Sequence, residues 1–286
     1  MFNEHSLMFL RRLHQLCGLR MRFGRVALHA LTAFFALTLI LPGHGSVLAA
    51  EPSSKAAAQK SIKTVQSRIR DARFADIDVP GLPALTAIAN EIRGNSVHLQ
   101  SKQMEFQYRY WLAYTNYLLA NGQLEAGQMD AARASLIEAS TLLRGIQVRN
   151  AESYTLLGMV SGLQIAVMPQ SQIGELMSGA RDVMEKAVAL APDSPRVLYA
   201  RAVGDYSTPA QYGGGRLAEG LLRKVLAMPA ERNRALQPIW GRDDSAALLI
   251  KVLAASDRNA EAKKTHQEFI ALYPKSAPLI TAGKGL

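Results

Sequence analysis

The stretch Ala180–Pro192, ARDVMEKAVALAP, decides the fold of this chain. Its small and apolar residues lie four, seven and eight positions after the first, on one face of an α-helix, and they are Ala180, Met184, Ala187 and Val188. Pro192 marks the point where that helix cannot continue. The pattern recurs at three further places: Ala132, Leu136 and Ala139; Ala218, Leu222, Val225 and Leu226; and Ala262, His266, Phe269 and Ile270, followed by Pro274. Such repetition indicates a stacked array of helices, because the small first residue lets a neighbouring helix approach closely.

A second apolar stripe precedes each copy, so each unit is predicted to be a helical hairpin. The stripes of the first helices are Tyr110, Ala113, Tyr114 and Tyr117; Tyr154, Leu157, Gly158 and Val160; Leu198, Ala202 and Tyr206; and Ala246, Leu249, Ile250 and Leu253. Successive copies begin 48, 38 and 44 residues apart. An ordinary unit has about 34 residues, so the surplus lies in the connections. No sustained alternation of apolar and polar residues indicates a strand, and the predicted class is all-α.

Residues 1–49 are predicted to be a signal peptide. Five arginines precede the apolar run Val26–Leu41, and small residues follow it, where cleavage after Ala49 or Ala50 is expected. The run has 16 residues, fewer than the roughly 20 that a membrane-spanning helix needs. An uncleaved N-terminal anchor is the alternative, in which case the membrane is contacted only through this segment. Translation starts at Met1 or Met21, and Met21 by itself begins a more typical signal peptide. The pattern predicts export to the periplasm.

Residues 50–100 are predicted to form an N-terminal helical segment, followed by a repeat domain over residues 101–286. The polar, alanine-rich stretch Glu51–Lys60 is expected to be flexible. An amphipathic helix is predicted next, from four apolar residues at helical spacing: Ile62, Val65, Ile69 and Ala72. A short helix over Leu85–Ile92 should end at Gly94 and Asn95.

Composition excludes several kinds of chemistry for the mature chain. Removal of residues 1–49 takes five arginines and one glutamate from a net charge of +10, which leaves +6. The single cysteine, Cys17, is removed as well, so disulfides, thiol catalysis and thiolate metal sites are excluded. His98 and His266 are the only remaining histidines. We find no catalytic motif and expect neither an enzyme nor a cofactor.

The second-helix residues Ala180, Met184, Ala187 and Pro192, with Tyr154, Leu157 and Gly158 of a first helix, resemble tetratricopeptide repeats. The stretch LAPDSPRVLYARAVGDYSTPAQYGGG, followed by Trp240-Gly241, resembles a group of exported bacterial tetratricopeptide-repeat proteins over about residues 105–278. The resemblance implies a right-handed α-α superhelix of about four irregular hairpins, preceded by one or two N-terminal helices. The last unit departs from the repeat pattern at Ile250, His266 and Phe269, as expected for a terminal unit.

In such repeats the first helices line the inner, concave side of the array. Residues one step off each apolar stripe would point into that groove and form a binding surface for a protein or peptide: Tyr108, Trp111, Thr115, Arg196, Tyr199, Val203, Tyr206, Asp244 and Lys251. Exposed Tyr, Trp and Arg side chains are typical anchors of protein interfaces. The alternative for Trp111 and Tyr199 is that they fill core between hairpins. Nucleic acid is not an expected partner of an exported chain.

Three local features resemble binding or metal sites. The run from Tyr212 to Arg216, YGGGR, is interpreted as a tight turn with Tyr212 packed beneath it, rather than as an anion site. Asp243 and Asp244 are interpreted as caps of the following helix, rather than as a metal or acid–base pair. His266 is expected on the buried face of its helix.

These features predict an exported helical-repeat scaffold that binds a protein or peptide partner in the bacterial cell envelope. A self-assembling structural component is the first alternative, motivated by the amphipathic helix around Ile62–Ala72. An enzyme with its site in the long connections after Gly158 or Tyr206 is the second. Neither the partner nor the oligomeric state follows from the sequence.

Overall fold

A computed structural model describes residues 55–75, 82–98, 101–232 and 236–286. These residues form eleven α-helices and no strand, which confirms the predicted all-α class. The predicted signal peptide, residues 1–49, lies outside the described residues. The helices are α1 Lys55–Ala75, α2 Leu82–Gly94, α3 Lys102–Glu125, α4 Met129–Arg144, α5 Ala151–Gln164, α6 Ile173–Leu190, α7 Pro195–Ser207, α8 Ala218–Ala227, α9 Arg242–Ala255, α10 Asn259–Leu272 and α11 Ala277–Gly283.

The two N-terminal helices join the core formed by the helices that follow them. The predicted apolar stripe of α1 is buried, from Ile62 to Ala72, and α1 packs against α2 and α3. Helix α2 buries Leu85, Ile88, Ala89 and Ile92 in the same core. The expectation that Glu51–Lys60 is flexible is wrong from Lys55 onward, because α1 begins there.

Consecutive helices pair as predicted: α3 with α4, α5 with α6, α7 with α8, and α9 with α10. The first helices also contact one another in series, α3 with α5, α5 with α7, and α7 with α9. They form a layer, which we call the first-helix layer. The small residues that start three of the second-helix stripes are fully buried, namely Ala132, Ala218 and Ala262.

The stripe of α6 is the exception, because only Ala187 in it is buried. The sulfur of Met184 fits where a Cβ on Gly158 would otherwise sit, so α6 packs closely on α5. It touches α7 much less, and Met177 and Leu190 are exposed. The buried core therefore divides into one cluster that ends at Val167 and a second that begins at Ala202.

Helix α11 was not predicted. It packs on α9 and α10 and buries Leu279 and Ala282, so it covers the end of the array. The ring of His266 lies against Gly283 of α11, where a Cβ would collide with it. This contact explains why the last unit departs from the repeat pattern at His266. His266 is half-buried. The sequence did contain a signal for the start of this helix, because Pro278 lies in its first turn and proline is common there.

The glycine-rich turn between α7 and α8 is tight, as predicted, but Tyr212 is 65% exposed rather than packed beneath it. Gly213 and Gly215 have positive φ angles of 87° and 80°. The Asp205 carboxylate accepts hydrogen bonds from the backbone N–H groups of Leu217 and Ala218, both at 2.9 Å. The chain's own carboxylate therefore occupies the position that an anion would take at the start of α8.

Gly214→Ala should destabilise the protein by about 2 kcal/mol, because the added Cβ would overlap the backbone carbonyl of Thr208. Gly220→Ala in α8 is the matched control, since its Cβ would meet no atom within 4 Å. That control should stabilise the helix by about 0.5–1 kcal/mol. Urea unfolding of both variants measures the difference. Equal effects of the two substitutions would contradict this account of the turn.

Candidate functional site

The predicted surface residues divide between the core and the surface. Trp111 and Thr115 are fully buried, and Arg196 is 5% exposed. The Trp111 indole N–H donates to Gln107 at 2.9 Å, so its polar atom is satisfied inside the core. This placement agrees with the alternative stated for Trp111, that it fills core between helices. The other members of the set are partly exposed, namely Tyr108, Tyr199, Val203, Tyr206, Asp244 and Lys251.

The first-helix layer is not an open groove, because Trp240 lies on it. Its ring stacks on Tyr114 of α3, with centroids 4.9 Å apart and an interplanar angle of 18°. It meets Tyr199 of α7 edge-on at 6.4 Å, and its Nε1–H donates to Tyr110 Oη at 3.0 Å. Burial raises the pKa of Tyr110 and Tyr114, so both phenols are neutral at ordinary pH. We call these four residues the Trp240 site.

The segment that carries Trp240, residues 236–240, is also held through its main chain. The Gln66 side chain of α1 donates to the carbonyl oxygen of Gln237 at 3.2 Å. Its amide oxygen accepts from the N–H of Ile239 at 2.7 Å. One amide side chain thus binds a donor and an acceptor of the main chain.

Asp243 and Asp244 lie in the first turn of α9, but neither caps it, since the N-cap residue is Gly241. Asp244 accepts two hydrogen bonds from Arg73 of α1, at 2.5 and 3.2 Å, and this pair is mostly buried. Asp243 accepts from Ser276 Oγ at 2.8 Å. Burial, and then the neighbouring charge of Asp244, raise the pKa of Asp243. In the described part of the chain, no group of three or more His, Cys, Asp or Glu side chains is placed to hold a metal.

Arg196 anchors the connection that leads to Trp240. It donates from Nε to Glu152 of α5 at 2.7 Å. Its two terminal nitrogens donate to both carboxylate oxygens of Glu231, at 2.6 and 2.9 Å. Further along, the Arg242 guanidinium donates to backbone carbonyls at the end of α8, including that of Met228 at 2.7 Å. The segment is therefore fixed to the protein on both sides of Trp240.

Glu125, at the end of α3, should make stability depend on pH. Burial raises the pKa of its carboxyl from 4.5 to about 7, and Lys251 only partly opposes that shift. The folded chain binds this proton more tightly than the unfolded chain, so the free energy of unfolding falls as the pH rises from about 4.5 to about 7. After a discount for solvent screening, Glu125→Gln should be about 2 kcal/mol more stable than wild type at about pH 8.

The same variant should match wild type near about pH 4, below the ordinary carboxyl pKa of 4.5, where Glu125 is protonated in the folded state and mostly protonated in the unfolded state. Urea unfolding at both pH values measures the two differences. A gap between the two chains that does not change with pH would contradict the raised pKa.

The Trp240 site was missed from the sequence, apart from Tyr199. Tyr110 and Tyr114 were predicted only as an apolar stripe, and Trp240-Gly241 only as part of a resemblance. A signal was present, since a large aromatic residue stands alone in a connection that contains Pro229 and Pro238. What that residue contacts could not be predicted, because Tyr110 is 130 positions away in the chain.

Comparison with known proteins bears on the fold alone. No family model matches the sequence, and no curated protein matches it at a significant level. A solved structure that resembles it is the HusA haemophore from Porphyromonas gingivalis, with a TM-score of 0.52 and 19% sequence identity. The match covers 72% of this chain and 96% of that chain. At this identity the likeness concerns the helical fold alone. Among the described helices, none is long and apolar enough to cross a bilayer.

Proposed function

We propose that this chain is an exported helical-repeat scaffold that binds a protein or peptide partner in the bacterial envelope through its first-helix layer. One observation carries the proposal: this layer, together with α1, binds segment 236–240 of the chain itself. Tyr114 of the layer stacks on Trp240, and Gln66 of α1 hydrogen-bonds to the main chain of the segment. Aromatic anchors and main-chain contacts are the usual means of peptide recognition.

The proposal includes a right-handed superhelix of tetratricopeptide-like hairpins. The serial contacts from α3 to α5, α7 and α9 support it, because an array with closely spaced first helices curves with those helices inside. Such curvature also accounts for the contact of Tyr114 in the first hairpin with Trp240, just before the fourth. Small-angle scattering of the purified chain tests this shape.

The proposed location is the periplasm, supported by the predicted signal peptide, which is expected to be cleaved from the mature chain. Mass spectrometry of the protein from a fractionated cell tests both claims. We expect it in the periplasmic fraction with an N-terminus at Ala50 or Glu51. A full-length chain in the membrane fraction would show an uncleaved anchor instead.

The self-assembly alternative loses its motivating observation. It rested on the apolar face of α1, and that face is buried in the chain's own core, with Val65 0% exposed. The surface available for a partner is the exposed side of the first-helix layer, around Tyr199 and Tyr206.

Photo-crosslinking in living cells tests the proposed binding. A benzophenone amino acid at Tyr199 or Tyr206 should give a crosslinked band with a second protein. The matched control is the same probe at Tyr212, which is exposed on the turn between α7 and α8 and is not one of the predicted partner residues. Bands at all three positions would indicate nonspecific contact. No band at Tyr199 or Tyr206 would reject the proposal.

A further inference from the structure

Residues 236–240 are bound in the way that a separate peptide would be. The segment has no helix or strand of its own between Pro238 and Trp240. It contributes one anchored side chain, Trp240, and two main-chain groups that Gln66 holds. Leu236 and Trp240 pack against the first core cluster, whereas α9, which follows directly, belongs to the second. The segment thus packs on a surface formed by other helices, and not by α9, the helix that it precedes.

The bound conformation is strained at one end. Leu236 has a φ angle of 77°, in the left-handed region that a side chain with a Cβ disfavours. At the other end Gly241 has a φ of 103°, and as a glycine it adopts that angle without penalty. The strain at Leu236 opposes binding of the segment. A separate peptide with the same contacts but no such constraint would not carry it.

The site has an open side and a clear chemical preference. Trp240 and Tyr199 both remain partly exposed, so the ring can leave toward solvent. Neutral tyrosine side chains surround the Trp240 ring, and one of them, Tyr110, accepts a hydrogen bond from its N–H. Such neutral surroundings suit an uncharged aromatic side chain. The nearby charges of Arg73 and Asp244 are already paired with each other.

Resting on the proposed function, we propose that segment 236–240 is a built-in substitute ligand, and that the partner replaces it. The geometry defines the partner as a protein segment with a tryptophan as its anchor. The residue three positions before the tryptophan offers a main-chain carbonyl to Gln66, and the residue directly before the tryptophan offers an N–H. While the substitute is bound, the site is occupied. Binding of the partner therefore requires release of Trp240.

A peptide-binding experiment tests this inference. The probe is a fluorescent peptide with the sequence Leu236–Arg242, LQPIWGR, and its control carries alanine in place of tryptophan. Trp240→Ala empties the ring position in the full chain, so the probe should bind this variant about tenfold or more tightly than wild type. The alanine peptide should bind neither chain. Equal binding of both peptides, or no binding of the probe to the variant, would overturn the inference.

A second variant guards against misfolding of Trp240→Ala, whose fold is checked by circular dichroism. Glu231→Gln weakens the anchor of the connection at Arg196 without contact to the Trp240 ring. It should raise the affinity for the probe by a few-fold, about two to five. Affinity unchanged from wild type would contradict a replaceable segment.

Two further readouts separate this inference from the proposed function. If the probe binds as expected but no crosslink forms in cells, the site is real and the scaffold function fails. If crosslinks form but the probe does not bind Trp240→Ala, the partner uses another surface. Light scattering of wild type tests a third occupant: dimers that disappear in Trp240→Ala would mean that the segment is exchanged with a second copy, which would overturn an external partner.

Discussion

Trp111→Ala should lower the free energy of unfolding by about 4 kcal/mol, a large share of the roughly 5–15 kcal/mol by which most domains are stable. The side chain is 0% exposed and meets the rings of Tyr110 and Tyr114 edge-on, with centroids 5.2 and 6.0 Å away. Its removal leaves a cavity in the core of α3. It also leaves the buried Gln107 without its indole donor. Chemical unfolding followed by circular dichroism measures the loss.

Two controls make the result specific to burial. Trp111→Phe keeps a ring but loses the hydrogen bond, and should cost about 1–2 kcal/mol. Tyr212→Ala removes a ring that is 65% exposed and should change stability by less than about 0.5 kcal/mol. A Trp111→Ala chain that keeps wild-type stability and yet loses its crosslinked partner would restore Trp111 to the binding surface.

Arg196→Ala should cost about 3–5 kcal/mol, because it leaves two carboxylates without the cation that neutralises them. Glu152 and Glu231 both depend on this guanidinium, which is 6% exposed in its side chain. The loss should exceed that of an ordinary surface ion pair, which is worth about 0–1 kcal/mol. Because the Glu231 connection leads to Trp240, the Trp240 fluorescence should also shift toward that of an exposed indole.

Arg201→Ala on the same helix is the matched control, since Arg201 is partly exposed and forms no ion pair with any residue in the described part of the chain. It should change stability by less than about 0.5 kcal/mol. Arg196→Lys should recover only part of the loss, because an ammonium cannot reproduce the two-point contact with Glu231. If Arg196→Ala and Arg201→Ala behaved alike, the buried ion cluster would not stabilise the protein as described.

The helices could be predicted well because their signal is local. Each stripe requires only that apolar residues recur at helical spacing, and three of the four small residues that begin the stripes are fully buried. The prediction was weaker for α6, where periodicity indicated a buried face that the structure leaves partly uncovered. Periodicity identifies which side of a helix is apolar. The positions of α5 and α7 decide whether another helix covers that side. The residue pattern of α6 gives no information about those positions.

The candidate site could be predicted only in part, for a related reason. Tyr199 was selected as a residue one step off a stripe, and it does line the Trp240 site. Trp111 and Thr115 were selected by the same rule and are buried, because α3 is enclosed on more than one side. The rule assumed an open groove, whereas α1 and the connection before α9 lie on the first-helix layer.

By itself, the sequence determined an all-helical chain, the hairpin units and the positions of most of their helices. Those properties depend on spacing within about 18 residues, where helix geometry alone decides which side chains share a face. Tertiary structure decided that Trp240 lies against Tyr110 and Tyr114, and that Arg73 pairs with Asp244, 171 positions away. Such contacts depend on the changes in chain direction at every connection between the two residues, added together. A small change at each connection would move these groups apart without altering any stripe.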